Sequence, residues 1–287
     1  MTKKAISPNV CRMIQEISSS AIKVIFLLTG LFCLWPTFEV FPCTLFGAVG
    51  NSVEGGRVLI GKTRDRQENS EQTFIEVLPK GGYRYRGISV KSVKRVTSAI
   101  NEKGLVVVSA AASNVEKGDK VTTVGKILSR ASSVDEVIAL LKKGEIRGPI
   151  HYLLGDIHKI ALLEVIDGDR YTFLVKENGV LYHTNHFTFN DMKKFNGKTE
   201  VSSQARLNRI ESLLKESPFT KEKFIVFSQD HFNGRGNNSI CRHFESRVRG
   251  SEQTVSAAVF FLPKEGVPEI WVSLGQPCQS VFKKLRG

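Results

Sequence analysis

Cys43 is the residue best placed to do chemistry, because it stands at the end of a leader-like stretch. Residues 1–23 carry Lys3, Lys4, Arg12 and Lys23, and residues 24–35 are uncharged. If the chain is cut before Cys43, a thiol and a new α-amine share one residue. That amine, with a reference pKa of ~7.7–8, can take the thiol proton without a histidine. The thiolate could then attack an amide or thioester carbonyl and carry the acyl group as a covalent intermediate. A lone cysteine is more often a small core hydrophobe, so Cys43 acquires meaning only with partners positioned further along the chain.

The uncharged stretch has the length of a signal-peptide core and falls short of the ~20 residues of a spanning helix. Residues 1–42 are therefore expected to be a removable leader, signal-peptide-like or a propeptide. Removal makes the protein exported, periplasmic or extracellular, with no stable membrane span; a retained leader would tether it to a membrane. Residues 37–42 lack the small-x-small pattern of a signal-peptidase site. Lipid attachment at Cys43 would want a small residue where Phe41 and Pro42 stand.

Forty-one basic and 28 acidic residues give a net charge of +13 over 287 residues. The basic residues are scattered, as at 91–95, 193–194 and 283–286, without the aromatic-interleaved platform of a single-strand binder. They read as a solvated basic surface, and no nucleic-acid partner is expected. Of the five cysteines, Cys43, Cys241 and Cys278 follow the leader. An odd count without metal-ligand spacing argues against a disulfide framework and against a zinc site. A Cys241–Cys278 disulfide stays open for an exported protein, because sequence does not set their separation.

The elements that must position Cys43 read as mostly strands. Segments 44–49 and 57–61 flank Glu54-Gly55-Gly56 as a hairpin, and further strands are expected at 73–78, 104–111, 151–154, 160–166 and 171–175. The last of these is joined through Asn178-Gly179 to 180–184, and strands at 223–227, 254–262 and 268–274 follow. Two stretches are helical. Residues 133–143 place Val134, Val137, Ile138, Leu140 and Leu141 on a stripe behind a Ser133/Glu136 capping box, and residues 203–215 carry Leu207, Ile210, Leu213 and Leu214. With no internal repeat or linker, residues 43–287 read as a single α+β domain with antiparallel sheets and outer helices.

Four motifs in order resemble the acyl-coenzyme A:6-aminopenicillanate acyltransferase family, related to the choloylglycine hydrolases and penicillin V acylases of the N-terminal-nucleophile (Ntn) hydrolase superfamily. The first is Cys43-Thr44 followed by Gly61-Lys62-Thr63-Arg64-Asp65, the second Asn101-Glu102-Lys103-Gly104-Leu105 leading into 106–111, and the third Leu181-Tyr182-His183-Thr184-Asn185-His186-Phe187. The fourth is Ser239-Ile240-Cys241-Arg242-His243, followed by Gly275-Gln276-Pro277-Cys278. The resemblance implies an αββα four-layer sandwich with Cys43 as nucleophile and Asp65 binding its α-amine. It implies further that Asn185 and a backbone N–H near Ala110 or Ala111 stabilise an oxyanion, and that Arg242 lies beside the nucleophile. Considered alone, Arg242 would be a surface arginine and His183 and His186 ordinary strand-end residues.

The same residues serve hydrolysis of a linear amide and acyl transfer from a thioester such as acyl-CoA to an amine. Export favours hydrolysis, since water and secreted amides are what an exported enzyme meets. Substrates are small-molecule amides or thioesters, and no cofactor or metal is implied. Two departures stand out: Pro42 precedes the nucleophile, and Lys62 stands where hydrolase relatives have arginine and cannot give its planar two-pronged contact. The contrasting reading is a noncatalytic exported or tethered domain that keeps its leader.

Overall fold

The computed structural model describes residues 42–285 apart from 67–69, 93–94, 114, 116–120, 199–200 and 248–250. The expected leader lies outside the described residues. Among the described residues, no helix is long and apolar enough to cross a membrane.

Alternating apolar residues build two antiparallel sheets. The first contains β1 (Cys43–Val49), β2 (Gly56–Arg66), β10 (Gly179–His183), β11 (Gln253–Pro263), β12 (Glu269–Ser273) and β13 (Lys283–Leu285), in the order β10-β1-β2-β11-β12-β13. The second runs in sequence order through β3 (Gln72–Val77), β4 (Tyr85–Val90), β5 (Val96–Asn101), β6 (Val106–Ala111), β7 (Ile150–Gly155), β8 (Ile160–Val165) and β9 (Tyr171–Lys176). Side chains of a strand point alternately to its two faces, so one strand feeds two cores. Val58 and Ile60 of β2 pack with Val106 and Val108 of β6 between the sheets, whereas Leu59 and Val107 face outward.

The outward cores are closed by helices. Over the second sheet lie α1 (Val124–Leu128) and α2 (Val134–Lys142), whose Val134, Val137 and Leu141 are buried. The Ser133 side chain caps α2 by accepting from Glu136 N at 3.3 Å, while the Glu136 carboxylate reaches the N–H of Ser132, one residue earlier than a capping box would have it. Over the first sheet lie α3 (Val201–Leu213) and α4 (Lys221–Ser228), which cover Phe46, Ala48, Leu59 and Val259. Burying each such side chain contributes about 1.5–3 kcal/mol. The layers are helix, sheet, sheet, helix, as the αββα reading requires.

Two expectations are corrected. Residues 223–227 form part of α4 instead of a strand. Their aromatic and β-branched content suits a strand, but a strand would point Phe224 and Phe227 to opposite faces. A helix sets them on one side, where Phe224 meets Phe46 at 5.0 Å between ring centroids, and the Thr220 hydroxyl caps the first turn by accepting from Lys223 N. The second correction concerns Asn178-Gly179. They do not close a hairpin, because β9 pairs with β8 while β10 pairs with β1. Gly179, at φ +107°, turns the chain from one sheet to the other.

Candidate active site

Strand register places the candidate nucleophile. Cys43 opposes Arg64, and Leu45 opposes both Lys62 and His183. Directly opposed residues share a face, so Cys43, Lys62 and Arg64 all point between the sheets. Lys62 Nζ donates to the carbonyl of Thr97 on β5 at 2.9 Å, which ties the two sheets together beside Cys43. Burial, opposed in part by the nearby Cys43, lowers Lys62 to about 8. Arg64 is lowered to about 10, first by burial and then by Arg66, and its Nη1 is buried with no hydrogen-bond partner among the described residues.

Asn185 reaches Cys43 directly. Its Oδ1 accepts from Cys43 N at 3.1 Å and from Arg206 Nη2 at 3.0 Å. Its Nδ2 donates to the Ala111 carbonyl at 2.8 Å. Donors meet one end of the amide and an acceptor meets the other, so the hydrogen-bond network assigns its orientation. Ala111 therefore contributes a carbonyl to Asn185, in addition to whatever its N–H offers, and Ala110 lies beside it, opposite His151 in the β6–β7 register.

The histidines around Asn185 hold its strand end in place. His183 Nε2 meets Glu164 Oε1 of β8 at 2.7 Å, both side chains fully buried, which clamps β10 to the second sheet. His186 Nδ1 meets Ser203 Oγ of α3 at 2.7 Å, and the same hydroxyl accepts from Asn185 N at 3.0 Å. The signature 183–186 is thus a positioning device: two residues anchor to opposite neighbours and aim Asn185 at Cys43.

Asp65 and Arg242 form a second group, on the other face of β2. The Asp65 carboxylate accepts from Thr254 Oγ1 at 2.7 Å and faces Arg242 Nη1 at 3.5 Å. Arg242 also contacts Glu252 at 3.1 Å and donates to Asn237 Oδ1 at 2.6 Å. The backbone links this group to the start of β1, where Asp65 N donates to the carbonyl of Pro42 at 3.1 Å.

Cys43 is only 4% exposed. Pro42 precedes it and is itself buried, so in the uncut chain Cys43 is covered. The cleft lined by Glu54, Asp135, His158 and Lys159 lies away from it.

Sequence reasoning missed Arg206 and Arg64. Arg206 is 0% exposed and donates through Nη1 to the Cys43 carbonyl at 2.8 Å and to Thr44 Oγ1 at 3.1 Å. The inward stripe of α3 is Ser203, Arg206 and Ile210, a helical spacing that was available in the sequence but masked by Leu207 and Leu213. Arg64 carried a simpler signal, standing two residues after Lys62 on one strand and hence on the same face.

With this geometry established, comparison with known proteins becomes informative. The family model described as acyl-coenzyme A:6-aminopenicillanic acid acyl-transferase matches residues 52–278, well over half of the chain. The chain belongs to that family. The match begins after Cys43, so the role of that cysteine is argued from geometry. Two variants of conjugated bile acid hydrolase from Clostridium perfringens are similar in structure. One has a TM-score of 0.52 at 14% identity and covers 84% of this chain and 97% of that one. The other has a TM-score of 0.50 at 14% identity and covers 85% and 97%. Penicillin V acylase from Agrobacterium tumefaciens gives 0.49 at 17% identity over 85% and 91%. At these identities the bile acid hydrolase likeness speaks for the fold alone, and that fold is the Ntn-hydrolase sandwich of this acyltransferase-family chain. No curated protein matches the sequence.

Proposed function

We propose that this acyltransferase-family chain is a cysteine N-terminal-nucleophile enzyme that hydrolyses linear amide bonds after removal of residues 1–42. The observation that carries the reading is the buried 3.1 Å bond from Cys43 N to Asn185 Oδ1. Once the preceding peptide bond is cut, that nitrogen becomes the α-amine, already oriented beside its own thiol. Two buried cations on the same face, Lys62 and Arg64, place positive charge beside the thiol. An unsatisfied buried donor costs about 1–3 kcal/mol, so Arg64 Nη1 suits an anionic group arriving near Cys43.

Processing follows from the same groups. Cys43 Sγ attacks the Pro42 carbonyl carbon, the C–N bond breaks as a proton passes to the Cys43 nitrogen, and water hydrolyses the resulting thioester. The N–H of Asp65, on the Pro42 oxygen, polarises the carbonyl that would be attacked. In turnover the α-amine takes the thiol proton, the thiolate adds to the substrate carbonyl, and Asn185 donates to the oxyanion through Nδ2. An amide nitrogen carries two hydrogens, so donation to Ala111 is compatible with that role. The protonated amine then returns its proton to the leaving amine, and water releases the acyl group.

Acyl transfer to an amine is the second reading, favoured by the description of the matching family. A leader that acts as a signal peptide makes the protein exported, which favours water as the acceptor. The test is the intact mass and N-terminal sequence of wild type beside Cys43→Ala. A wild type that begins at Cys43, with a variant that keeps its leader, supports the proposal, and amide and thioester substrates are then assayed with and without an amine acceptor. A wild type that retains residues before Cys43 refutes it and leaves a noncatalytic domain.

A further inference from the structure

Arg242 is carried by the connection between α4 and β11, residues 229–252, which has no helix or strand among its described residues. A connection this long is uncommon inside a packed domain unless something holds it. Four side chains converge at its base. His231, Cys241 and His243 lie on the connection, Cys278 lies on the turn after β12, and their ligand atoms all fall within 4.8 Å of one another. His231 Nε2 and His243 Nε2 are 2.9 Å apart, and Cys278 Sγ is 3.4 Å from His243 Nε2.

These are the dimensions of a metal tetrahedron. Zinc binds sulfur at ~2.3 Å and nitrogen at ~2.0–2.1 Å, so tetrahedral ligands stand roughly 3.3–3.8 Å apart. The Cys278–His243 pair lies within that range, the His231–His243 pair is a few tenths of an ångström short of it, and the remaining pairs lie within 4.8 Å. Two thiolates and two imidazoles in a tetrahedron select zinc over the oxygen-loving cations. The cysteines are not joined to each other.

We propose that His231, Cys241, His243 and Cys278 form a closed, structural Cys2His2 zinc site that staples the Arg242-bearing connection to the turn after β12. Binding converts two thiols to thiolates and releases two protons for each zinc ion taken up. All four positions are filled by protein, so the ion has no open position for substrate and acts on stability and on the placement of Arg242. Linear spacing concealed the site, because Cys278 lies far along the chain from Cys241 and joins it only through the packing of β11 and β12.

The test uses the full chain purified under reducing conditions. Metal analysis is expected to find about one zinc per chain. After chelation, Co2+ added alone should give the visible bands of a tetrahedral site with a thiolate-to-cobalt band in the near ultraviolet. Cys278→Ser should lose much of the thiolate band and at least about tenfold in affinity, since losing a ligand costs no less than losing its outer partner. Should that variant fail to fold, wild type still decides the matter: zinc must raise the Tm of the chelated protein and His231→Ala must abolish the rise. Reduced wild type that neither retains nor takes up metal overturns the proposal. A Cys241–Cys278 disulfide, seen as a mass lower by two hydrogens and reformed in preference to zinc binding when metal is supplied, overturns it as well.

Discussion

The surroundings of Cys43 and the connection carrying Arg242 solve the same problem by opposite means. Cys43, Lys62, Arg64 and Asn185 sit on strands or at strand ends, where pairing register sets which side chains share a face. Arg242 sits on irregular chain, held by Asp65, Glu252 and Asn237 and by a Cys/His cluster below it. A site built on strands inherits its precision from the sheets. One built on a connection must be fastened by side chains, and it is correspondingly easier to disturb without unfolding the rest.

The largest expected effect tests the strand side. Cys43→Ala should abolish both processing and turnover, at least about 10⁴-fold in kcat/KM for a lost nucleophile, measured on protein supplied already cut before residue 43 so that catalysis is separated from processing. Next comes Asn185→Ala, expected to lower kcat by about 10²–10³-fold with a smaller change in KM, as for loss of an oxyanion donor. A rise in KM of that size with kcat unchanged would assign Asn185 to substrate binding.

Arg206 distinguishes position from chemistry. Arg206→Met removes a buried donor set from the Cys43 carbonyl, Thr44 Oγ1 and Asn185 Oδ1, and is expected to cost about 3 kcal/mol. Thermal unfolding should report this as a fall of about 6–12 °C in Tm. An unchanged Tm would mean that the three acceptors find other donors and that the strand ends are less rigid than their bonding implies.

Lys62 gives an effect that reaches a similar size only across a pH window, and the sharpest sign. Its folded value of about 8 lies below the ordinary value of 10.5, so between those pH values the unfolded chain binds the extra proton. Stability should therefore rise as pH increases from about 8 to 10.5, by up to about 3 kcal/mol, with the full penalty of the buried cation present below that window. Lys62→Met should flatten that slope in denaturant titrations. If the slope survives, a group other than Lys62 is responsible.

The nucleophile candidate, the predominance of strands and the fingerprint around Asn185 were legible from the chain alone, because strand alternation and contiguous motifs are short-range signals; that the strands form two sheets was implied only by the family resemblance. Residues 183–186 are readable for that reason, and their neighbours supply the rest: Glu164 anchors His183, and Ser203 anchors His186 and Asn185. Residues 223–227 misled because composition suits a strand while the need to bring Phe224 and Phe227 onto Phe46 selects a helix. Arg206 was hidden because a charged side chain in an amphipathic helix reads as solvated until the partners that bury it are known.

Sequence by itself determined which residues could react and the alternation that builds the layers, since both follow from side-chain chemistry and from the two-residue period of a strand. Only the tertiary structure decided that Asn185 grips the backbone of Cys43, that Arg206 lies wholly buried against it, and that His231, Cys241, His243 and Cys278 meet at one point. Those contacts join segments far apart in the chain, and their distances are set by how sheets and helices pack, which no local spacing encodes.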